Sequence, residues 1–151
     1  MKHVVGDLLQ LALAGKFDVI VHGCNCFHKM GAGIAKPISS LFPEAFEADM
    51  KTPFGDRAKL GSISTANVVR DNFSFVIVNA YTQFDYRGKG QKVDYDAISS
   101  CFGLIGDRFS SARIGYPLIG AGLAGGDWAI ISKRIEECLD GLDHTLVTLP
   151  E

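Results

Sequence analysis

The sequence predicts an α/β fold: a three-layer α/β/α sandwich around a central mixed, mostly parallel sheet. Two observations lead there. Apolar, β-branched runs alternate with stretches of helical periodicity along most of the chain. One antiparallel hairpin interrupts the alternation in the middle, which makes the sheet mixed. The 151 residues bury roughly 70% of their unfolded surface, enough for one core without staples. No linker, repeat or biased segment divides them, so residues 1–151 are expected to form a single domain.

The elements follow in order. A first strand precedes Val5-Gly6-Asp7, and Leu8 to Ala14 has the composition of a short helix stopped by Gly15. Asp18 to His22 reads as a buried strand. A loop from Cys24 to Gly31 leads to a helix from about Ala32 to Leu41, which Pro37 should kink or shorten. A further helix begins with Pro43 at its first position and runs through Ala48. Ser62–Val69 and Phe73–Asn79 are strands flanking the turn Arg70-Asp71-Asn72. Residues 80 to 93 form a loop rich in Gly, Lys and aromatics. Tyr95 to Phe109 is helical, with Ala97, Ile98, Cys101, Phe102 and Ile105 spaced by threes and fours. A short strand, Arg113 to Pro117, precedes a glycine-rich loop, Gly120 to Gly126. A helix from Asp127 to Leu139 and a strand from His144 to Leu149 complete the chain.

Fifteen Lys and Arg against seventeen Asp and Glu give a net charge of −2. That balance argues against a dedicated nucleic-acid or polybasic membrane binder, whose affinity needs clustered positive charge. Cys24, Cys26, Cys101 and Cys138 are too few and too irregular for a secreted disulfide framework, so reduced thiols and a cytoplasmic location are expected. Asp7 and Gln10 interrupt the only apolar run near the N-terminus, so neither a signal peptide nor a membrane span is read there.

Glycine is the unusual component, at seventeen residues, or about 11% against a usual ~7%. Gly31-Ala32-Gly33 and Gly120-Ala121-Gly122-Leu123-Ala124-Gly125-Gly126 each lie between a strand and a helix. Such corners offer unpaired backbone N–H groups near the positive end of a helix dipole, and a missing Cβ lets an anion approach them. In open α/β sheets they lie where ligands bind. Two in one small domain point to a phosphate-bearing ligand rather than to tight turns alone. The Rossmann spacing is formally present at Gly120, but one strand follows where a whole mononucleotide-binding unit is needed. Gly88-Lys89-Gly90-Gln91-Lys92 lacks the P-loop spacing. His22, Cys24, Cys26 and His28 would share a face if extended, yet the C-x-C spacing is poor for tetrahedral zinc. No metal and no cofactor are expected.

Together these motifs resemble the macro domain, an ADP-ribose-binding α/β/α fold. Val5-Gly6-Asp7-Leu8 is similar to its first signature, where the Asp binds the adenine amino group. His22-Gly-Cys-Asn25-Cys and Met30-Gly31-Ala32-Gly33-Ile34-Ala35 resemble the second, which holds the distal ribose. Pro117 to Trp128 resembles the third, which wraps the diphosphate. The resemblance spans essentially the whole chain. It implies a ligand set of Asp7, Leu8, Asn25, Met30, Gly31, Ala32, Gly33, Ile34, Thr82, Gln83, Ile119, Gly120, Ala121, Gly122, Leu123, Ala124 and Gly125.

The H-x-C-N-C and M-G-A-G-I-A runs resemble the branch of yeast-type ADP-ribose 1″-phosphate phosphatases and terminal ADP-ribose protein glycohydrolases. So does Asn79-Ala80-Tyr81-Thr82-Gln83. The glycohydrolases use a lysine at that strand end and an aspartate in the diphosphate loop. Alanine stands at the matching positions, Ala80 and Ala124, and Asp127 is the nearby acid. The implied catalytic residues are His22, for proton transfer, with Asn25 and Asp127. His22 reads equally as a hydrogen-bonded core residue. The expected function is ADP-ribose binding with hydrolysis of a derivative, a 1″-phosphate or an ADP-ribosyl ester, free or on a macromolecule. The alternatives are a non-catalytic ADP-ribose reader and an interaction module that has lost the ligand.

Overall fold

A computed structural model describes residues 1–151. The strands are β1 (Lys2–Val5), β2 (Val19–Cys24), β3 (Ile63–Val69), β4 (Ser74–Tyr81), β5 (Ile114–Tyr116) and β6 (His144–Thr148). The helices are α1 (Leu8–Leu13), α2 (Ala35–Leu41), α3 (Pro43–Met50), α4 (Tyr95–Arg108) and α5 (Trp128–Cys138), with a 3₁₀ turn at Arg57–Lys59. The six strands lie in the order β1-β6-β5-β2-β4-β3. Every pairing is parallel except β3 with β4, so the sheet is mixed and mostly parallel.

Strand alternation sends neighbouring residues to opposite faces, and this builds the three layers. Val19, Val21 and Val78 pack with Ile98, Phe102, Ile131 and Ile135 of α4 and α5. Ile20 and Ile77 pack on the other side with Leu9, Ile38, Phe42 and Ala45 of α1, α2 and α3. Both faces of β2 and β4 are buried, which is why these strands read as continuous apolar runs.

Several boundaries differ from expectation for identifiable reasons. β2 continues to Cys24, so His22 lies within the strand, opposite Asn79. Helix α2 begins at Ala35 rather than Ala32, because Gly33 adopts φ +57°, outside the helical region. Pro37 is then its third residue, where the missing N–H would have been unpaired in any case. α3 keeps Pro43 at its first position and extends to Met50. β4 runs to Tyr81, and the 3₁₀ turn had no clear periodic signal. Because β1, β2, β4 and β5 run in one direction, their C-terminal ends open on the same edge. The segments that leave them begin at Gly6, Asn25, Thr82 and Pro117.

A candidate anion-binding cleft at the strand ends

The loop after β5 is held open by its own backbone. Gly120 and Gly125 take φ of +75° and +71°. Ala121 N–H donates to Leu118 O at 3.2 Å, Gly125 N–H to Gly122 O at 3.0 Å, and Gly126 N–H to Gly120 O at 2.7 Å. This leaves the N–H groups of Gly120, Gly122, Leu123 and Ala124 with no backbone acceptor. A Cβ on Gly120 would meet Val93 at 2.7 Å, and one on Gly126 would meet the Gly120 carbonyl at the same distance. Gly122 is different. Its φ is ordinary and a Cβ there would meet nothing within 4 Å.

The loop after β2 repeats this arrangement. The N–H groups of Gly31, Ala32, Gly33 and Ile34 find no backbone acceptor, and Gly31 also faces open space. The two loops approach one another: a Cβ at Gly33 would lie 3.6 Å from Cδ1 of Leu123. Gly31, Ala32, Gly33, Gly122, Leu123 and Gly125 are all exposed, Leu123 to 72%. Met30, Ile119 and Ala124 are buried beneath them, with Ile34, Gly120 and Ala121 partly buried.

Asn25 organises the first loop. Its carbonyl accepts from Phe27 N–H at 2.9 Å and Lys29 N–H at 3.4 Å, while its amide donates to Lys29 O at 2.9 Å. Asp7 caps α1: Oδ1 accepts from Leu9 N–H at 2.9 Å and Gln10 N–H at 3.1 Å, leaving Oδ2 available. Leu8 behind it is buried. Thr82 is 1% exposed, and its Oγ1 lies 2.8 Å from the point where a Gly23 Cβ would stand. The hydroxyl is taken up by no neighbouring side chain, so Gly23 is what admits it beside the β2 end. Gln83 turns its amide to Asp85 O at 3.3 Å.

Of the catalytic candidates, Asn25 lies in the first loop and Asp127 follows the second, whereas His22 is enclosed in the core. His22 has no accessible surface, and Nε2 lies 2.7 Å from Oδ1 of Asn79. Burial holds its pKa below the ordinary histidine range. Its neighbours form a buried polar network under α3. Asn79 donates to Ala45 O and Ser64 Oγ, and Tyr81 donates to Asp49 at 2.7 Å. Lys59 Nζ donates to Thr52 Oγ1 and Pro53 O. Burial also pushes the thiol of Cys24 up, and that of Cys101 to about 12. The geometry of His22 is that of a core residue. Asp127 is exposed and spends Oδ1 capping α5, on Ala129 N–H at 2.9 Å. Ala80 and Ala124 both pack into the α4/α5 core, and Thr82 and Gln83 follow the end of β4.

His22, Cys24, Cys26 and His28 do not assemble a metal site. His28 turns to Thr52 O at 2.9 Å, and Cys26 to Gln83 O. Two grooves, of about 480 and 550 Å³, lie beside the 84–95 segment and under the β3–β4 hairpin, apart from the cleft. No helix is long and apolar enough to cross a membrane. Sequence reading missed Asp49, Lys59 and Tyr81, whose partners are scattered along the chain, and the role of residues 90–95.

No protein-family model matches the chain. An uncharacterized 17.5 kDa protein from the tk-vs intergenic region of Enterobacteria phage T4 is 34% identical over 152 residues, 97% of this chain and 95% of its own. Among solved structures, the macrodomain of Thermus aquaticus DarG aligns with a TM-score of 0.77 at 22% identity, over 99% of this chain and 97% of its own. Thermosipho africanus DarTG in complex with ADP-ribose aligns with a TM-score of 0.74 at 19% identity, over 98% of this chain and 41% of its own. A macrodomain protein from Streptomyces coelicolor aligns with a TM-score of 0.62 at 25% identity, over 85% and 86%. The chain therefore has the macrodomain fold and belongs to one family with the phage T4 protein.

Proposed function

We propose that this protein binds ADP-ribose across the two glycine loops. The diphosphate sits on the N–H groups of Gly122, Leu123 and Ala124, beside Ile119 to Gly125. The distal ribose lies against Asn25 and Met30 to Ile34, with Thr82 and Gln83 beneath, and adenine lies at Asp7 and Leu8. One observation carries this reading. Both loops present backbone N–H groups without backbone acceptors around a glycine, Gly31 or Gly122, that neither packing nor φ requires. Convergent free amides form a concavity for an anion without a cationic side chain. The T. africanus protein of the same fold, solved with ADP-ribose, supports the choice of anion. Calorimetry with ADP-ribose, and with adenosine as control, tests it. Tight binding of ADP-ribose alone is expected; heats equal to dilution overturn the proposal.

The second reading adds hydrolysis at the distal ribose, of a 1″-phosphate or an ester-linked group, free or on a macromolecule. The Thr82 hydroxyl motivates it: it has no side-chain partner, stands beside Gly23 at the end of β4, and is the group this reading assigns to holding a water near the distal ribose. The apolar surroundings of Ala80 and Ala124 count against the covalent lysine route, and no proton transfer is assigned to His22 or Asp127. Phosphate release from ADP-ribose 1″-phosphate, reduced in Thr82→Val, is the expected result. No release leaves the reader function. The four free cysteines support a reducing, cytoplasmic setting.

A further inference from the structure

The segment Gly90–Tyr95 runs behind the second glycine loop and grips its outer side. Lys92 and Val93 both donate their N–H groups to the Ala124 carbonyl, at 2.7 and 3.2 Å. Lys92 Nζ donates to the Leu123 carbonyl at 3.3 Å. All three bonds fall on the carbonyls of Leu123 and Ala124. Packing adds to them. Gly120 and Gly126 seat against Val93, and a Cβ on Gly125 would meet the Gly90 carbonyl at 3.0 Å. At the far end, Asp127 N–H donates to the Tyr95 hydroxyl at 3.0 Å. That hydroxyl in turn donates to Gln91 Oε1 at 3.3 Å, and the Gln91 amide donates to Val93 O at 3.0 Å. The chain of bonds ties the start of α5 to the strap.

We propose that Lys92 and Tyr95 are positioning residues for phosphate binding: the strap holds the carbonyls of Leu123 and Ala124, which orients the Ala124 amide directly and, through Gly125 N–H on Gly122 O, the Leu123 amide before any ligand arrives. A peptide plane fixed at its oxygen is also fixed at the next N–H. Lys92 acts on the side of the loop away from the ligand, as a cation that attracts carbonyl oxygens rather than phosphate. The inference rests on the ADP-ribose reading for the identity of the anion, and on the ligand-free geometry for the strap. Preorganised amides bind without the ordering cost that a mobile loop carries.

Two measurements on the full chain test it and separate the two claims. In the ligand-free protein, ¹⁵N relaxation should give residues 120–126 order parameters near ~0.85, falling below ~0.6 in Lys92→Ala. Tyr95→Phe, which removes the hydroxyl that accepts from Asp127, should loosen the loop in the same direction. Lys92→Arg should restore the rigid values, which a general loss of fold would not. Unchanged order parameters in both variants overturn the strap, whatever the protein binds. Affinity for ADP-ribose should fall about threefold to tenfold in Lys92→Ala, the effect of one lost hydrogen bond. A loosened loop with unchanged ADP-ribose affinity overturns the positioning role. If the unaltered protein binds no ADP-ribose, the preceding proposal fails, and relaxation alone decides the strap.

Discussion

The ends and the middle of the second glycine loop contain the same residue for opposite reasons. Gly120 and Gly126 are enclosed by Val93 and Ile131, and Gly126 also by the Gly120 carbonyl, so the fold itself forbids a side chain. Gly122 lies between them with open space around it, and its backbone would accept any residue. In the first loop, Gly33 has the positive φ that favours glycine, and Gly31 is the open position. Glycines that folding requires and glycines that only a ligand would require are thus interleaved within a few residues. They separate only when each is asked what a Cβ would meet.

Substitutions can break this comparison. The largest effect is expected at Gly126→Ala, where the new methyl collides with Val93 and the Gly120 carbonyl. A loss of about 2–3 kcal/mol, or roughly 5–10 °C in Tm, should accompany loss of ADP-ribose binding. Gly122→Ala should leave Tm unchanged yet weaken ADP-ribose about tenfold or more, because its methyl points at nothing in the protein. An equal loss of stability at both positions in thermal melts would erase the distinction. Gly31→Ala repeats the test in the first loop.

A smaller effect concerns pH. Burial lowers the pKa of His22 from its ordinary 6.5, so the folded state keeps the ring neutral while the unfolded chain takes up a proton. The stability this contributes is complete above pH 6.5 and is lost as pH falls below it toward the lowered folded value. Denaturant titrations between pH 7 and 5 should show that slope, and His22→Gln should flatten it. His144, also lowered by burial, should leave a residual slope. The smallest effect is at Asp7→Asn, which keeps a good helix cap but removes the carboxylate proposed for adenine. ADP-ribose affinity should drop a few-fold by calorimetry, with little change in Tm. An unchanged affinity would remove Asp7 from the site.

Much of the fold was legible in the sequence because its signals are local. The spacing of Ile98, Cys101, Phe102 and Ile105 marks α4, and the runs at Val19–Val21 and Ile77–Val78 mark central strands buried on both faces. Asp7 and Pro43 announced helix starts that the structure retains. What was not legible depends on partners far along the chain. Nothing near Gly126 reveals that Val93 fills its Cβ position. Strand parity places His22 and Val21 on opposite faces, but not which face looks toward a cleft. The buried set of Asp49, Lys59 and Tyr81 comes from a helix, a 3₁₀ turn and a strand, and joins only when α3 packs on the sheet. Asn25 was legible as a loop residue, yet its hydrogen bonds to Phe27 and Lys29 show a part in shaping the loop that composition does not carry.

The most direct test of the central claim is an ADP-ribose titration followed in ¹H–¹⁵N spectra of the assigned protein. The account predicts that the amides of Gly122, Leu123 and Ala124 move together with those of Gly31 to Ile34, saturating at one stoichiometric equivalent. Shifts confined to the grooves at Arg57–Arg134 or beneath the hairpin, or no shifts in the two loops, would contradict it.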